Sequence, residues 1–310
     1  MPTPNPLHIR MLAACNLSYD SVALASANPA AASSLYQSIG LVGRPTVIRR
    51  NLSPVLPRDL AFLARIPEGV LICCRGTQPP TVANWPKFAS SLSDWANDAA
   101  AIARTDPEFP GQVHKGFASA TFDLWRGESW NPGIRLALEA IQAQGPIAKI
   151  YVTGHSKGGP LALMIASLIK GLGANTTQFS TPQTPVEVTT FAGAKPGNMA
   201  FRNALLPKLV DCTRYEVDQD VVPQLPPSAN AQPIIHTLFP QIGSELATSL
   251  INYVSVGTRV SQQGGFLANA LGSFGALAGG AAVGALAQSI VRAHAIEPES
   301  QYAKLVRRLI

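Results

Sequence analysis

In the middle of this chain the spacing of apolar positions changes abruptly. Residues 147–153 (IAKIYVT) are a short apolar run rich in β-branched residues and read as a buried strand. Beyond them, Leu161, Met164, Ile165, Leu168, Ile169 and Leu172 recur at the three-and-four spacing of an amphipathic helix. Upstream, residues 11–24 carry helical patterning. Residues 59–74 read as a hairpin, with alternation over 60–65, a turn at Pro67, Glu68 and Gly69, and a continuous apolar strand over 70–74. Helices are predicted from Lys115, with Phe117, Phe122 and Trp125, and again at Ile134, Ala137, Leu138 and Ile141. Further strands are predicted at 186–192 and 212–217. Strands and helices alternating at these intervals predict an α/β fold, a mostly parallel central sheet with helices on both faces. In such sheets the reactive groups lie at the carboxyl edge.

The turn between the central strand and its helix carries the chemistry. Gly154-His155-Ser156-Lys157-Gly158 has the G-x-S-x-G pattern of a nucleophile elbow, in which a serine occupies a strained turn that only flanking glycines let the chain enter. Such a turn lifts Ser156 clear of its neighbours. It also aims the first free N–H groups of the following helix, Lys157 first, at the place where an oxyanion would form. The pattern alone is weak in a chain with 25 glycines, but a strand before it and a helix after it are the context it requires.

A serine hydroxyl needs a base to take its proton and an acid to orient that base. Hydrolases of this architecture run serine, acid, histidine along the chain. His8 and His114 precede the elbow, and His155 must point away along the turn, which leaves His236 and His294. For the acid, Asp218 and Asp220 both follow the strand at 212–217. Because they are two residues apart in an extended segment they share a face, so periodicity leaves the choice open.

Five blocks in order carry a resemblance: CCRGT (73–77), VHKGF (113–117), GHSKGG (154–159), TTFAGAKPGN (189–198) and DVVPQLPP (220–227). Together they resemble the class 3 (fungal-type) lipase family of the α/β-hydrolases, over roughly residues 70–230. The resemblance implies Ser156 as nucleophile, Asp220 as triad acid through its D-x-V-P match, and His294, in a terminal segment before Tyr302, as the base. It also implies an oxyanion hole from the backbone N–H groups of Thr77 and Lys157, and no cofactor or metal. The family usually has leucine where this chain has Lys157.

Two stretches fit no regular element. Residues 78–112 hold Trp85 and Trp95 among prolines and small residues, at the position where the family carries its lid. Residues 260–291 contain no charge and are dominated by alanine and glycine. As a membrane span this stretch has the length but lacks the large apolar side chains. Its Gly275/Gly279 and Gly280/Gly284 spacings suit helices in close contact, so a buried or lid-like helical pair hinged near Gly279 and Gly280 is the preferred reading, ahead of interfacial attachment and then of a true span.

Bulk composition narrows the rest. With 310 residues, 46% hydrophobic and 14% charged, the chain can bury a large core, and residues 1–310 are read as a single domain. Lys and Arg outnumber Asp and Glu, 24 to 18, but they are scattered rather than striped, so nucleic acid is not an expected partner. Cys15, Cys73, Cys74 and Cys212 have no framework spacing and read as buried free thiols. Three early prolines and no apolar core segment argue against a cleavable N-terminal signal, so the expectation is a cytoplasmic protein or one exported by another route, with transient contact at a lipid surface.

The function these readings support is a serine carboxylic-ester hydrolase acting on lipid esters, in the manner of a triacylglycerol lipase. A phospholipase A or short-chain esterase is the near alternative, with Lys157 meeting a phosphate at the pocket entrance. A hydrolase-fold protein that has lost catalysis and binds lipid is the alternative from another class.

Overall fold

The computed structural model describes residues 6–26, 34–50, 59–77, 103–128, 131–174, 183–218, 220–226, 253–261 and 292–307. In chain order these give α1 (Pro6–Tyr19), α2 (Ser21–Ala25), α3 (Ser34–Ile39), β1 (Val42–Arg50), β2 (Asp59–Ile66), β3 (Gly69–Cys74), β4 (Ala103–Thr105), β5 (Gln112–His114) and α4 (Lys115–Arg126). They continue with β6 (Gly127–Glu128), β7 (Asn131–Pro132), α5 (Ile134–Ala143), β8 (Ile150–His155), α6 (Gly158–Ile169), β9 (Val186–Phe191), α7 (Met199–Leu205), β10 (Asp211–Glu216), β11 (Thr258–Ser261) and α8 (Gln301–Arg307). The main sheet has the order β1-β2-β3-β8-β9-β10-β11. β1, β2 and β3 are antiparallel to one another, and the pairs from β3 to β11 are parallel. This is the mostly parallel sheet expected from the alternation of elements.

Side-chain alternation divides the core into two layers. On β3, Val70, Ile72 and Cys74 face one layer with α4, α5, α6 and α7, while Leu71 and Cys73 face the other with α1, α3 and α8. The adjacent cysteines thus point to opposite faces, and all four cysteines are free and buried. α6 is buried at every one of its positions, so its sequence is apolar nearly all round rather than striped. Burying each large apolar side chain there contributes about 1.5–3 kcal/mol.

Several boundaries differ from the sequence reading, each for a physical reason. The helix expected over 11–24 breaks at Asp20, whose carboxylate caps α2 by accepting from the Ala23 N–H at 2.8 Å. The alternation read at 60–65 does not mark a half-exposed strand: β2 is buried on both faces apart from the partly exposed Arg65. β1 has a mixed polar and apolar sequence and went unread, and the expected insertion at 260–291 begins inside β11, which pairs with β10 through Val260 and Ser261. The rest of that insertion, 262–291, lies outside the described residues, as do Trp85, Trp95 and His236. Of the expected lid, residues 103–112 are described. Phe109 among them is buried and stacks on Phe122 at 5.1 Å, which fixes this end to the body. Among the described residues no helix is long and apolar enough to cross a membrane.

Candidate active site

Ser156 stands between β8 and α6 with φ +57°, the left-handed region that a residue with a side chain enters only when the surroundings compel it. What compels it is visible in the flanking glycines. A Cβ on Gly154 would lie 2.1 Å from the Gly158 carbonyl oxygen, one on Gly158 would lie 2.1 Å from that of Cys74, and one on Gly159 would press on Gly193 at 2.6 Å. The elbow is held further by the Ser156 N–H donating to the Phe191 carbonyl at 3.0 Å and the Gly159 N–H donating to the Ser156 carbonyl at 3.0 Å. Ser156 Oγ is buried and makes no hydrogen bond.

Thr77, half-buried, follows β3 on the loop that abuts the elbow. The contact is made by its neighbour Gly76, where a Cβ would sit 2.5 Å from the His155 carbonyl oxygen and 3.0 Å from Ser156 Cβ. Lys157 caps α6 in helical conformation without a side-chain cap, so its backbone N–H belongs to the set that a helix start leaves without an internal partner. Its side chain goes elsewhere. Nζ meets Asp59 Oδ1 at 2.5 Å, and that carboxylate is 2% exposed at the start of β2. The expectation that Lys157 waits at the pocket entrance for a phosphate is therefore corrected: the ammonium is committed to a buried carboxylate, whose burial requires a cation.

Asp220 and His294, 74 positions apart in sequence, are brought together. His294 Nδ1 lies 2.8 Å from Asp220 Oδ2, and both residues are 1% exposed. A carboxylate only accepts, so the proton of a neutral His294 sits on Nδ1 and leaves Nε2 basic. Asp220 has two further donors. The Tyr302 hydroxyl reaches Oδ2 at 2.8 Å, and the Val222 N–H reaches Oδ1 at 3.0 Å. Tyr302 also accepts from the Val217 N–H at 3.2 Å. Burial first, and then the Asp220 charge, holds the Tyr302 phenol well above its usual range, so it is a permanent donor. Asp218, the competitor for the acid, instead faces Arg259 on β11 at 2.8 Å, near the surface.

Three groups without a role in the sequence pattern take structural ones, the first two beside this arrangement. His155, set aside as a base because it adjoins Ser156, is not idle. Its Nε2 donates to the His294 backbone carbonyl at 3.0 Å, which leaves Nδ1 to accept from the Tyr19 hydroxyl at 2.8 Å. The two imidazoles lie 4.6 Å apart between ring centroids. Burial first, and the neighbouring His294 second, keeps His155 well below the usual imidazole range, so it stays neutral. Lys195, from the AKPGN block, is 7% exposed and donates to the carbonyls of Gln224 and Pro226 at 3.0 and 3.2 Å, fixing the loop after Asp220. Burial pulls its ammonium down to about 8. His114, excluded as a base by chain order, caps α4 by accepting from the N–H groups of Gly116 and Phe117 at Nδ1.

Comparison with known proteins bears on the family and the fold. Residues 73–230 match the family model described as Lipase (class 3). Among characterised proteins, a lipase of Rhizomucor miehei is 29% identical over 160 residues, half of this chain and 40% of that protein. The secreted mono- and diacylglycerol lipase 1 of Fusarium solani is 30% identical over 115 residues, 37% of this chain and 30% of that one. The matched region thus spans less than half the length of either relative. Among solved structures, that of M37 lipase superposes with a TM-score of 0.59 at 18% identity, covering 96% of this chain and 92% of its own. Lipase II from Rhizopus niveus gives 0.54 at 18% identity, covering 73% and 77%. These structural likenesses speak to the fold, and the family model, which takes in just over half of the chain, speaks to descent. The chain belongs to the class 3 lipase family and is built on the α/β-hydrolase fold.

Proposed function

We propose that this protein is a serine carboxylic-ester hydrolase of lipid esters, with Ser156 as nucleophile, His294 as base and Asp220 as orienting acid. The observation that supports the reading is the pairing of His294 with Asp220 at 2.8 Å, with the His294 carbonyl tied to His155, the chain neighbour of a serine held at φ +57°. His294 Nε2 takes the proton as Ser156 Oγ attacks the ester carbonyl. The oxyanion is met by the backbone N–H groups of Lys157 and Thr77. Collapse of the tetrahedral intermediate expels the alcohol, which receives its proton from His294, and leaves an acyl group on Ser156. Water then attacks the acyl-enzyme with His294 again as base, releasing the fatty acid.

Acylglycerols are favoured over phospholipids as substrates, because the Lys157 ammonium that could have greeted a phosphate is paired with Asp59. The catalytically inactive lipid-binding alternative is disfavoured by the complete set of polar groups around His294. The test is labelling of the full chain by a fluorophosphonate, with hydrolysis of a panel of acylglycerols, phospholipids and p-nitrophenyl esters by the parent and by Ser156→Ala. Labelling and turnover should both vanish in the variant while its thermal unfolding is unchanged. A variant retaining more than about a tenth of the parent activity overturns the assignment.

A further inference from the structure

At the edge of the sheet opposite Ser156 three potential ligands converge. His8 comes from the first turn of α1, Glu187 is the second residue of β9, and Asp211 opens β10 directly beside it in register. One nitrogen or oxygen from each lies within 4.8 Å of the others. The strand from Glu187 to Phe191 separates the cluster from the carboxyl edge by about 13 Å, so it is no part of the ester chemistry.

Two details point to an ion rather than to a simple ion pair. Glu187 is 6% exposed, and its Oε1 is buried without a hydrogen-bond partner, although Oε2 is held by the Lys149 ammonium at 2.5 Å. His8 Nε2 faces Oε1 at 3.6 Å, within ion-pair range but long for a hydrogen bond. Two ligands of one zinc ion, each at about 2.0–2.1 Å and subtending a tetrahedral angle, are roughly 3.3–3.5 Å apart. The other face of the imidazole is furnished as a metal ligand's would be. His8 Nδ1 lies 2.8 Å from the Tyr215 hydroxyl, whose oxygen can accept the Nδ1 proton and so fix the tautomer that leaves Nε2 for the ion.

We propose that His8, Glu187 and Asp211 form a binding site for a divalent transition metal of the zinc class. Glu187 binds through Oε1 alone, since Oε2 is held by Lys149. Asp211 is exposed, which gives the ion a route from solvent and leaves a fourth position for water. With the Lys149 ammonium beside them the two carboxylates leave one net negative charge for the ion, and one imidazole with two carboxylates suits zinc better than calcium or magnesium. The ion would pin the start of α1 to two strands of the sheet, which makes it a stabilising clamp.

The proposal stands apart from the assignment of Ser156 and is tested apart from it. Untagged full-length protein, stripped with chelator, is titrated with ZnCl2 by calorimetry and with CoCl2 by visible absorbance, and thermal unfolding is followed with and without zinc. One equivalent should bind, and zinc should raise the unfolding temperature. Asp211→Asn, at an exposed position that leaves folding intact, and His8→Gln should each weaken binding by about tenfold or more and remove the thermal shift. Retained ester hydrolysis in Asp211→Asn serves as the check on its fold. Failure of the parent chain to bind zinc stoichiometrically, or equal affinity in parent and Asp211→Asn, overturns the site.

Discussion

The Lys157 ammonium lies 2.5 Å from the Asp59 carboxylate, joining the residue after Ser156 to the first residue of β2. Asp59 is nearly inaccessible and the Lys157 side chain is 15% exposed, so neither charge is well solvated if the other is removed. Breaking such a pair from one side leaves the buried carboxylate with only the nearby Arg75 charge, so the cost falls below the figure of about 3–5 kcal/mol for a fully buried, uncompensated charge. Lys157→Leu, which restores the residue usual in the family, should therefore destabilise the protein by about 2–3 kcal/mol in urea unfolding. The double variant with Asp59→Leu should recover most of that loss. A single variant as stable as the parent would mean that the pair contributes nothing.

Asp220→Asn should lower kcat by about three to four orders of magnitude with little change in KM, because the amide no longer selects the tautomer that leaves His294 Nε2 basic. Asp218→Asn cuts only a pair with Arg259, which is 44% exposed and also holds Glu216, so activity should stay within about twofold and stability within about 0.5 kcal/mol. Steady-state kinetics on one soluble ester compare the two, and the reverse ranking would move the acid to Asp218.

Tyr302→Phe deletes a hydroxyl that donates to Asp220 and accepts from the Val217 N–H, leaving both buried partners short of a bond. The expected cost is about 1–3 kcal/mol of stability. A kcat reduced about tenfold at constant KM would accompany it, since Asp220 loses a positioning contact and the substrate loses none. A change confined to KM would show that Tyr302 acts on the pocket instead.

Stability should fall on acidification in a way that depends on His155. Its folded-state affinity for protons is depressed, whereas the unfolded chain protonates near 6.5. Below that pH the unfolded state takes up a proton that the folded state refuses, so stability is lost as pH falls through 6.5 and stays level above it. The slope from this one group is at most about 1.4 kcal/mol per pH unit. Urea midpoints at pH 5, 6, 7 and 8 should show a drop at the acid end that is shallower in His155→Gln. Parallel curves for parent and variant would exclude the effect.

The periodic core and the elbow were legible from the chain because they are local. β8, its glycines and α6 follow from a dozen consecutive residues, and β3 from a continuous apolar run. Chain order restricted the base to two histidines, but the pairing of His294 with Asp220 is a contact over 74 positions that no periodicity encodes. β1 escaped because an outer strand mixes arginines and small residues with its few apolar positions. The bond from Tyr19 to His155 was invisible for a different reason: a tyrosine at the end of a helix looks like any other core-edge aromatic until the sheet sets it beside the elbow. The commitment of Lys157 to Asp59 likewise needed β2 to be placed first.

His294 is held at both ends of its residue, the ring by Asp220 and the backbone carbonyl by His155. The two anchors come from different strands, Asp220 from the loop after β10 and His155 from the end of β8. A histidine gripped at ring and backbone has neither its rotation nor its depth left to chance, so the two strands act on it as the jaws of a vice.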